Sequence, residues 1–412
     1  MQIQRAVPTL VGLLLCGACD SGSSSNNTAG ASGQATSGGE STSGGSGTSA
    51  GNATGGAANA AGGATGGSAT GGSPTGSAGT GPISGAGTAA GGGGSAQPTT
   101  GLPVPPAASN VPKPTGAAAN LKVVPWAGFA GAVTYTFDDS QPSQFEHWPE
   151  LKATGARVTY YISTANNYIT GYDATLKELI AMGGEVGNHT VHHCNSDLTN
   201  CAGAATPEAT LDAEIDNCTN YIKGLGVPDT LTIAYPYGDP TYATACKPRF
   251  FLGRGVGGGM IGMGDKSDPF NLPIFAAAGG EAADVFSAKV DAAEAQKKWV
   301  IFLFHSLGPT TATWYATVDI GAVTDSIEHA QSLPDVWVDT LANVGAYWLG
   351  ASLLSGAGPT WTWTLPPHFP AGKYLRVSVD GGTLTQAGKA LGWDPHGYYE
   401  VALDAGTLSW AP

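Results

Sequence analysis

Residues 131–140 read "GAVTYTFDDS". A run of β-branched and aromatic side chains predicts a strand, and two adjacent carboxylates, Asp138 and Asp139, stand at its C-terminal end. The same arrangement returns downstream. "EVGNHTVHH" (185–193) runs from a short strand into three histidines. "LTIAYPYGD" (231–239), "FLGRGVGG" (251–258) and "WVIFLFHS" (299–306) are further short apolar strands, as is "ARVTYYIS" (156–163). Helical patterns fall between them: "SQFEHWPELKAT" (143–154), "ATLKELIAMG" (174–183), "ATPEATLDAEIDNCTNYIKGLG" (205–226), "VTDSIEHAQSL" (323–333) and "WVDTLANVGAYWLG" (337–350). Strand-then-helix repetition predicts an α/β fold with a parallel sheet, open or closed. The polar chemistry gathers at strand C-termini, which is the functional rim of an α/β barrel.

Beyond Gly350 the period switches to two. "TWTWT" (360–364), "KYLRVSVD" (373–380) and "YYEVALDAG" (398–406) alternate, are joined by glycine turns and have no helix between them. About sixty residues make a marginal core alone. A small antiparallel β appendage over 351–412 is therefore expected, packed on the barrel, with Trp361 and Trp363 in the core rather than forming a sugar platform.

The first hundred residues have a different composition. Runs such as "SGSSSNNTAGASGQATSGGESTSGG" carry almost no large apolar side chain to offset the entropy of ordering. A flexible tether over 20–118 is expected, stiffened by proline in "GLPVPPAASNVPKPTG" (101–116), with an r.m.s. span of about 50–60 Å for its Gly/Ser-rich part. Ahead of it, Leu10–Cys16 is an apolar run too short to span a bilayer, preceded by Arg5. Residues 1–19 look like an export signal, and "CGAC" resembles a lipoprotein lipobox ending at an acylated Cys19. A plain secretory signal is the alternative. Either way the chain leaves the cytoplasm, and a lipid on Cys19 is the one membrane contact expected.

The net charge is −14, from 17 basic and 31 acidic residues. No Lys/Arg cluster interrupts it, which argues against nucleic acid or an anionic membrane face as partner. Cys194, Cys201, Cys218 and Cys246 are an even set in an oxidising compartment, so disulfides are expected. Cys194–Cys201 with Cys218–Cys246 is the preferred pairing. Zinc–thiolate ligation is the alternative.

"DD" alone is a common turn or cap. His189 and His193 stand four apart, a spacing that brings two imidazoles to one side of a helical turn. Two histidines and a carboxylate with one position open form a catalytic zinc set, and a second carboxylate beside it is the base that metal-assisted hydrolysis needs. Adjacent strand residues point to opposite faces, so Asp138 and Asp139 can share the rim only if the chain turns there.

Together these stretches resemble the polysaccharide deacetylase family (the NodB-homology domain, carbohydrate esterase family 4). "TFDD", "HTVHH", "AYPYG" and "LFH" match its motifs in the family's order, over roughly Ala132 to Gly350. The resemblance implies a distorted barrel of that type over 119–350. It implies one divalent metal, zinc in the family's pattern, on Asp139, His189 and His193, and leaves His192 a bystander. It further implies Asp138 as base, His305 as acid and the backbone N–H of Tyr237 as an oxyanion donor. The expected substrate is an N-acetylated polysaccharide, chitin-like, poly-N-acetylglucosamine or peptidoglycan, acted on by a monomer. An O-acetyl esterase acting on xylan-like polymer and a non-catalytic glycan-binding protein are the alternatives.

Two departures stand out. The family's third motif usually opens with an arginine that orients the base, and here that position is Ala234. Arg254, on the next strand, is expected to replace it. Ser140-Gln141 stands where the first motif often continues Gly-Pro, which alters the pocket wall.

Overall fold

In the computed structural model, which describes residues 100–165, 169–309, 315–354 and 358–411, the long apolar strand of the opening stretch lies mid-sheet. After β1 (Lys122–Val123) come β2 (Gly131–Phe137), α1 (Pro142–Glu146), α2 (Trp148–Ala153), β3 (Thr159–Ile162), α3 (Asp173–Ala181), β4 (Glu185–Asn188) and α4 (Leu211–Gly224). Next are β5 (Thr232–Ala234), α5 (Ala243–Cys246), β6 (Leu252–Arg254), β7 (Ile261–Gly262), β8 (Phe275–Ala276), α6 (Ala283–Gln296) and β9 (Lys298–Phe304). The pair β10 (Leu307–Gly308) and β11 (Val318–Asp319), α7 (Ile320–Ser332), β12 (Val336–Val338) and α8 (Leu341–Leu353) complete the α/β part.

Its sheet runs β6-β5-β4-β3-β2-β9-β7. β12 joins the N-terminal half of β2, whose C-terminal half pairs β3, and β8 pairs β9. All these pairings are parallel except that of β7. The result is the parallel sheet expected from the strand–helix alternation, curled into the distorted, incompletely closed barrel that the family resemblance implied.

Both faces of the sheet are buried, and strand periodicity assigns the residues to them. Val133, Tyr135 and Phe137 of β2, with Val300, Phe302 and Phe304 of β9, pack under α2, α3, α6 and α7. The intervening Trp299, Ile301 and Leu303 face a second core with α8 and the C-terminal sheets.

Local sequence rules adjust several expected boundaries. The pattern at 143–154 is two helices, because Pro149 in the first turn of α2 has no N–H to continue α1 across His147. α4 starts at Leu211, not near residue 205: Thr210 caps it by accepting from Ala213 N at 3.1 Å. Trp337 and Val338, expected in a helix, belong to β12, and α8 begins only after Thr340 caps Asn343.

The C-terminal part forms β13 (Thr360–Thr362), β14 (Tyr374–Ser378), β15 (Leu384–Gln386), β16 (Lys389–Ala390), β17 (Trp393–Asp394), β18 (Tyr398–Ala402) and β19 (Thr407–Trp410). They make two antiparallel four-stranded sheets, β1-β14-β18-β17 and β13-β19-β15-β16. Trp361 is buried in the core shared with α8, and Trp363 Nε1 donates to Leu403 O at 2.7 Å. The appendage is not built from C-terminal sequence alone, since β1 supplies an edge strand. Residues 100–118, grouped with the tether by composition, lie along it as well. Arg376 Nη1 donates to Pro103 O at 2.8 Å, Val111 N to Pro395 O at 2.8 Å and Gly382 N to Gly116 O at 3.1 Å. The export signal, Cys19 and the Gly/Ser-rich tether lie outside the described residues.

Cys194 and Cys201 are disulfide-bonded, as expected. Cys218 and Cys246 are not: both are buried free thiols. The reason is that α4 packs two ways. Cys218 faces the core under β3, its thiol 3.3 Å from Ile162 O, while Cys246 sits with Ile215, Tyr235, Tyr242 and Phe250.

Candidate active site

Asp138 and Asp139 share the rim because the chain does turn there. Asp138 N still bonds to Phe304 O at 3.0 Å, and then Asp139 and Ser140 take positive φ of 72° and 53°. Such angles are costly for non-glycine residues and cluster at functional sites. The two histidines converge by a related route, not by the helical turn their spacing suggested. Residues 189–193 form an irregular loop in which Thr190 (φ 65°) and His193 (φ 49°) both have left-handed backbone.

One ligand atom from each of Asp139, His189 and His193 lies within 4.8 Å of the others. Asp139 Oδ1 is 3.1 Å from His189 Nε2 and 3.3 Å from His193 Nε2. His189 Nδ1 is 2.9 Å from Ala234 O, an atom that can only accept, so Nδ1 carries the proton there. The neutral ring then turns the Nε2 lone pair onto a carboxylate oxygen. Acceptor faces acceptor, and a cation between them resolves the conflict; the backbone carbonyl behind the ligand histidine is the usual support of a metal site.

Without a cation, the same conflict is relieved by a protonated His189 donating to Asp139, and the electrostatics of the protein groups alone follow that form. Burial would raise the Asp139 carboxyl, but the His189 hydrogen bond and the charges of His193 and His305 outweigh it and hold it well below the usual carboxylate range. Burial brings His193 down to about 4, whereas His189, also buried, is raised by Asp138 and Asp139. The cluster has room for positive charge but not for two imidazolium rings.

Asp138 is 3% exposed and lies behind the cluster, its Oδ2 3.8 Å from His189 Nε2. Arg254, the last residue of β6 and 1% exposed, crosses the rim to hydrogen-bond Asp138 Oδ1 through Nη2. The guanidinium also lies 4.6 Å from the centre of the Tyr161 ring. Glycine makes room for both aromatics near it. A Cβ on Gly187 would stand 2.4 Å from the Tyr161 ring, and one on Gly253 would stand 2.3 Å from the Tyr235 hydroxyl. Ala234 on β5 is buried and offers no guanidinium, and the arginine arrives from the neighbouring strand, where Arg254 pairs with Ala234. Lysine has no fork and no planar face for Tyr161. Arg254→Lys is therefore expected to lower turnover about tenfold or more with metal content unchanged, measured by steady-state kinetics and elemental analysis.

His305, one residue past β9, brings Nε2 to 3.8 Å from Asp139 Oδ2. Its buried Nδ1 has no hydrogen-bond partner among the described residues. Tyr237 follows β5 with φ 55°. Its ring is 4.5 Å from His193 edge-to-face, and its hydroxyl donates to Asn200 O at 2.7 Å. His192 is not in the cluster: its Nδ1 bonds Glu214 at 2.8 Å.

Glu214 is a residue that motif reading passed over. Fully buried, it accepts from the backbone of Val191 (3.1 Å), His192 (2.8 Å) and Glu208 (2.9 Å), and from the His192 ring, so it shapes the loop carrying both candidate ligand histidines. A signal was present: at 211, 214, 215, 218 and 222 the apolar stripe of α4 is interrupted by this one charge. Gln141, the departure noted in the first motif, brings Nε2 to 3.5 Å from Asp139 Oδ2.

The family model described as "Polysaccharide deacetylase" matches residues 130–247. No curated protein matches the chain. Among solved structures, the Xyl-CE4 domain of a multidomain xylanase from the hindgut metagenome of Trinervitermes trinervoides is 17% identical, covering 52% of this chain and 89% of that one, with a TM-score of 0.35. A family 4 acetyl xylan esterase from Clostridium thermocellum is 15% identical, with the same coverage of 52% and 89% and the same TM-score of 0.35. The catalytic domain of a peptidoglycan N-acetylglucosamine deacetylase from Eubacterium rectale is 16% identical, covering 51% and 88%, with a TM-score of 0.34. Likenesses this distant say nothing of what this chain acts on. Residues 130–247, which hold Asp138, Asp139, His189, His193 and Tyr237, match the polysaccharide deacetylase model, and that match supports an enzyme of the deacetylase kind.

Proposed function

We propose that the chain removes acetyl groups from N-acetylated polysaccharide outside the cytoplasm, with one divalent ion, zinc by its donor set, held by Asp139, His189 and His193. The observation that carries this reading is the convergence of those three ligand atoms beside a carboxylate pinned by a buried arginine. A divalent ion held there supplies Lewis acidity to the acetyl carbonyl and to the attacking water. Asp138 takes the proton from that water as the carbon–oxygen bond forms. Arg254, bound to Oδ1, keeps Asp138 oriented for that transfer. In this reading the backbone N–H of Tyr237 takes the charge growing on the carbonyl oxygen, and His305 gives a proton to the departing amine. The rim suits a sugar polymer, because Tyr237 (42% exposed) and Tyr315 (67% exposed) each stand beside a histidine of the site and offer apolar ring faces to pyranose C–H groups. Lipidation at Cys19, with the Gly/Ser-rich segment as spacer and the folded part acting as a monomer, is proposed on sequence grounds.

Acetate release should be measured on chitin oligomers, poly-N-acetylglucosamine, peptidoglycan and acetylated xylan, each with and without chelator. Chelator-sensitive release from N-acetylated polymer is expected. Release from acetylated xylan alone would reassign the protein to ester cleavage, and no release from any of them would overturn the enzymatic reading.

A further inference from the structure

We infer that Gln144 is a positioning residue that sets the separation between the base on β2 and the acid on β9, an inference that rests on the deacetylase reading above. β2 and β9 are parallel, with Phe137 opposite Phe304, so Asp138 and His305 are the next residues on neighbouring strands. Asp138 N reaches Phe304 O, and there the ladder stops. The carbonyls of Asp138 and His305 thus emerge side by side past the last strand pairing, and buried carbonyls need donors.

Gln144 supplies both. Its Nε2 donates to Asp138 O at 2.5 Å and to His305 O at 2.7 Å, from a side chain that is fully buried. The amide has one orientation open to it, since turning it over would set its oxygen against two carbonyl oxygens. That orientation leaves Gln144 Oε1 buried without a hydrogen-bond partner among the described residues.

The helix that carries Gln144 is tied to the same strands. Ser143 Oγ accepts from Leu307 N at 3.0 Å and lies 3.1 Å from Ser306 Oγ. Gln144 O accepts from the Tyr160 hydroxyl of β3 at 3.2 Å. α1 therefore ties β2, β3 and β9 together, and within it Gln144 hydrogen-bonds both residues that must face one reacting centre from different sides. A displacement of about 1 Å in such a pair costs on the order of 10²-fold in rate.

The test compares the full chain with Gln144→Leu and Gln144→Asn on the acetylated oligomer the wild type cleaves best, reading kcat, KM, bound metal and melting temperature. Gln144→Leu, which has no donor, should lose about 10–100-fold in kcat, with KM and metal stoichiometry unchanged. Gln144→Asn keeps the amide on a shorter arm and should recover part of that loss. Asparagine also decides the matter if the leucine variant does not fold: a kcat equal to wild type would overturn the proposal. So would a loss that follows metal content or KM, because Gln144 would then act on the ligands or the substrate. A wild type that releases no acetate overturns the deacetylase reading itself, whereas an active wild type with an unimpaired Gln144→Leu variant overturns this inference alone.

Discussion

Asp138→Asn is expected to bind metal in the same stoichiometry as the wild type and to release acetate at least about 10²-fold more slowly, the scale of removing a positioned base. The substitution changes almost nothing but proton affinity. Asparagine has the same shape, and its Oδ1 can still accept from Arg254 Nη2, which now bonds the carboxylate. What disappears is a group able to take a proton, together with the counter-charge of an arginine that is 1% exposed. Stability should therefore fall as well, by up to about 3–5 kcal/mol, the cost of leaving one partner of a buried ion pair. The two effects are separated by assaying below the variant's own melting transition. Near-normal turnover in a folded, metal-loaded variant would remove Asp138 from the chemistry.

The second large effect is metal loss. His189→Ala/His193→Ala is expected to lose its bound divalent ion, by elemental analysis after dialysis, and with it all chelator-sensitive acetate release. His189 and His193 supply two of the three converging donors, and one Asp139 carboxylate cannot hold a first-row cation against water. The loop should survive, because Glu214, Thr190 and the Cys194–Cys201 bond hold its backbone, and the two imidazoles add only the His189 bond to Ala234 O. Retention of stoichiometric metal in the double variant would show that the ion binds elsewhere.

The placement of the candidate site residues was legible in the sequence, for a local reason. A buried parallel strand must be apolar along its length, so the first polar residues after it mark where the strand meets solvent. Asp138, His189 and His305 each sit immediately past the end of a strand, and Arg254 is the last residue of one. Even the Arg254–Asp138 contact could be anticipated, since β5 and β6 are neighbours and the partner expected on β5 was missing at Ala234.

Other features depend on segments far apart in the chain, and sequence could not supply them. Whether two cysteines bond depends on which sides of α4 and α5 they occupy, and Cys218 and Cys246 lie in different cores. Residues 100–118 have the composition of a linker, yet they are ordered by hydrogen bonds to Gly382, Pro395 and Arg376, nearly three hundred residues away. Glu214 and Gln144 carry no motif, because their partners are backbone groups, which are the same for every residue type. Sequence by itself determined the strand–helix order, the buried faces and the reactive groups at the rim, since those follow from local periodicity and from side-chain chemistry. Tertiary structure alone decided the geometry of those groups, because backbone carbonyls, buried amides and turn angles become neighbours only when distant strands pack together.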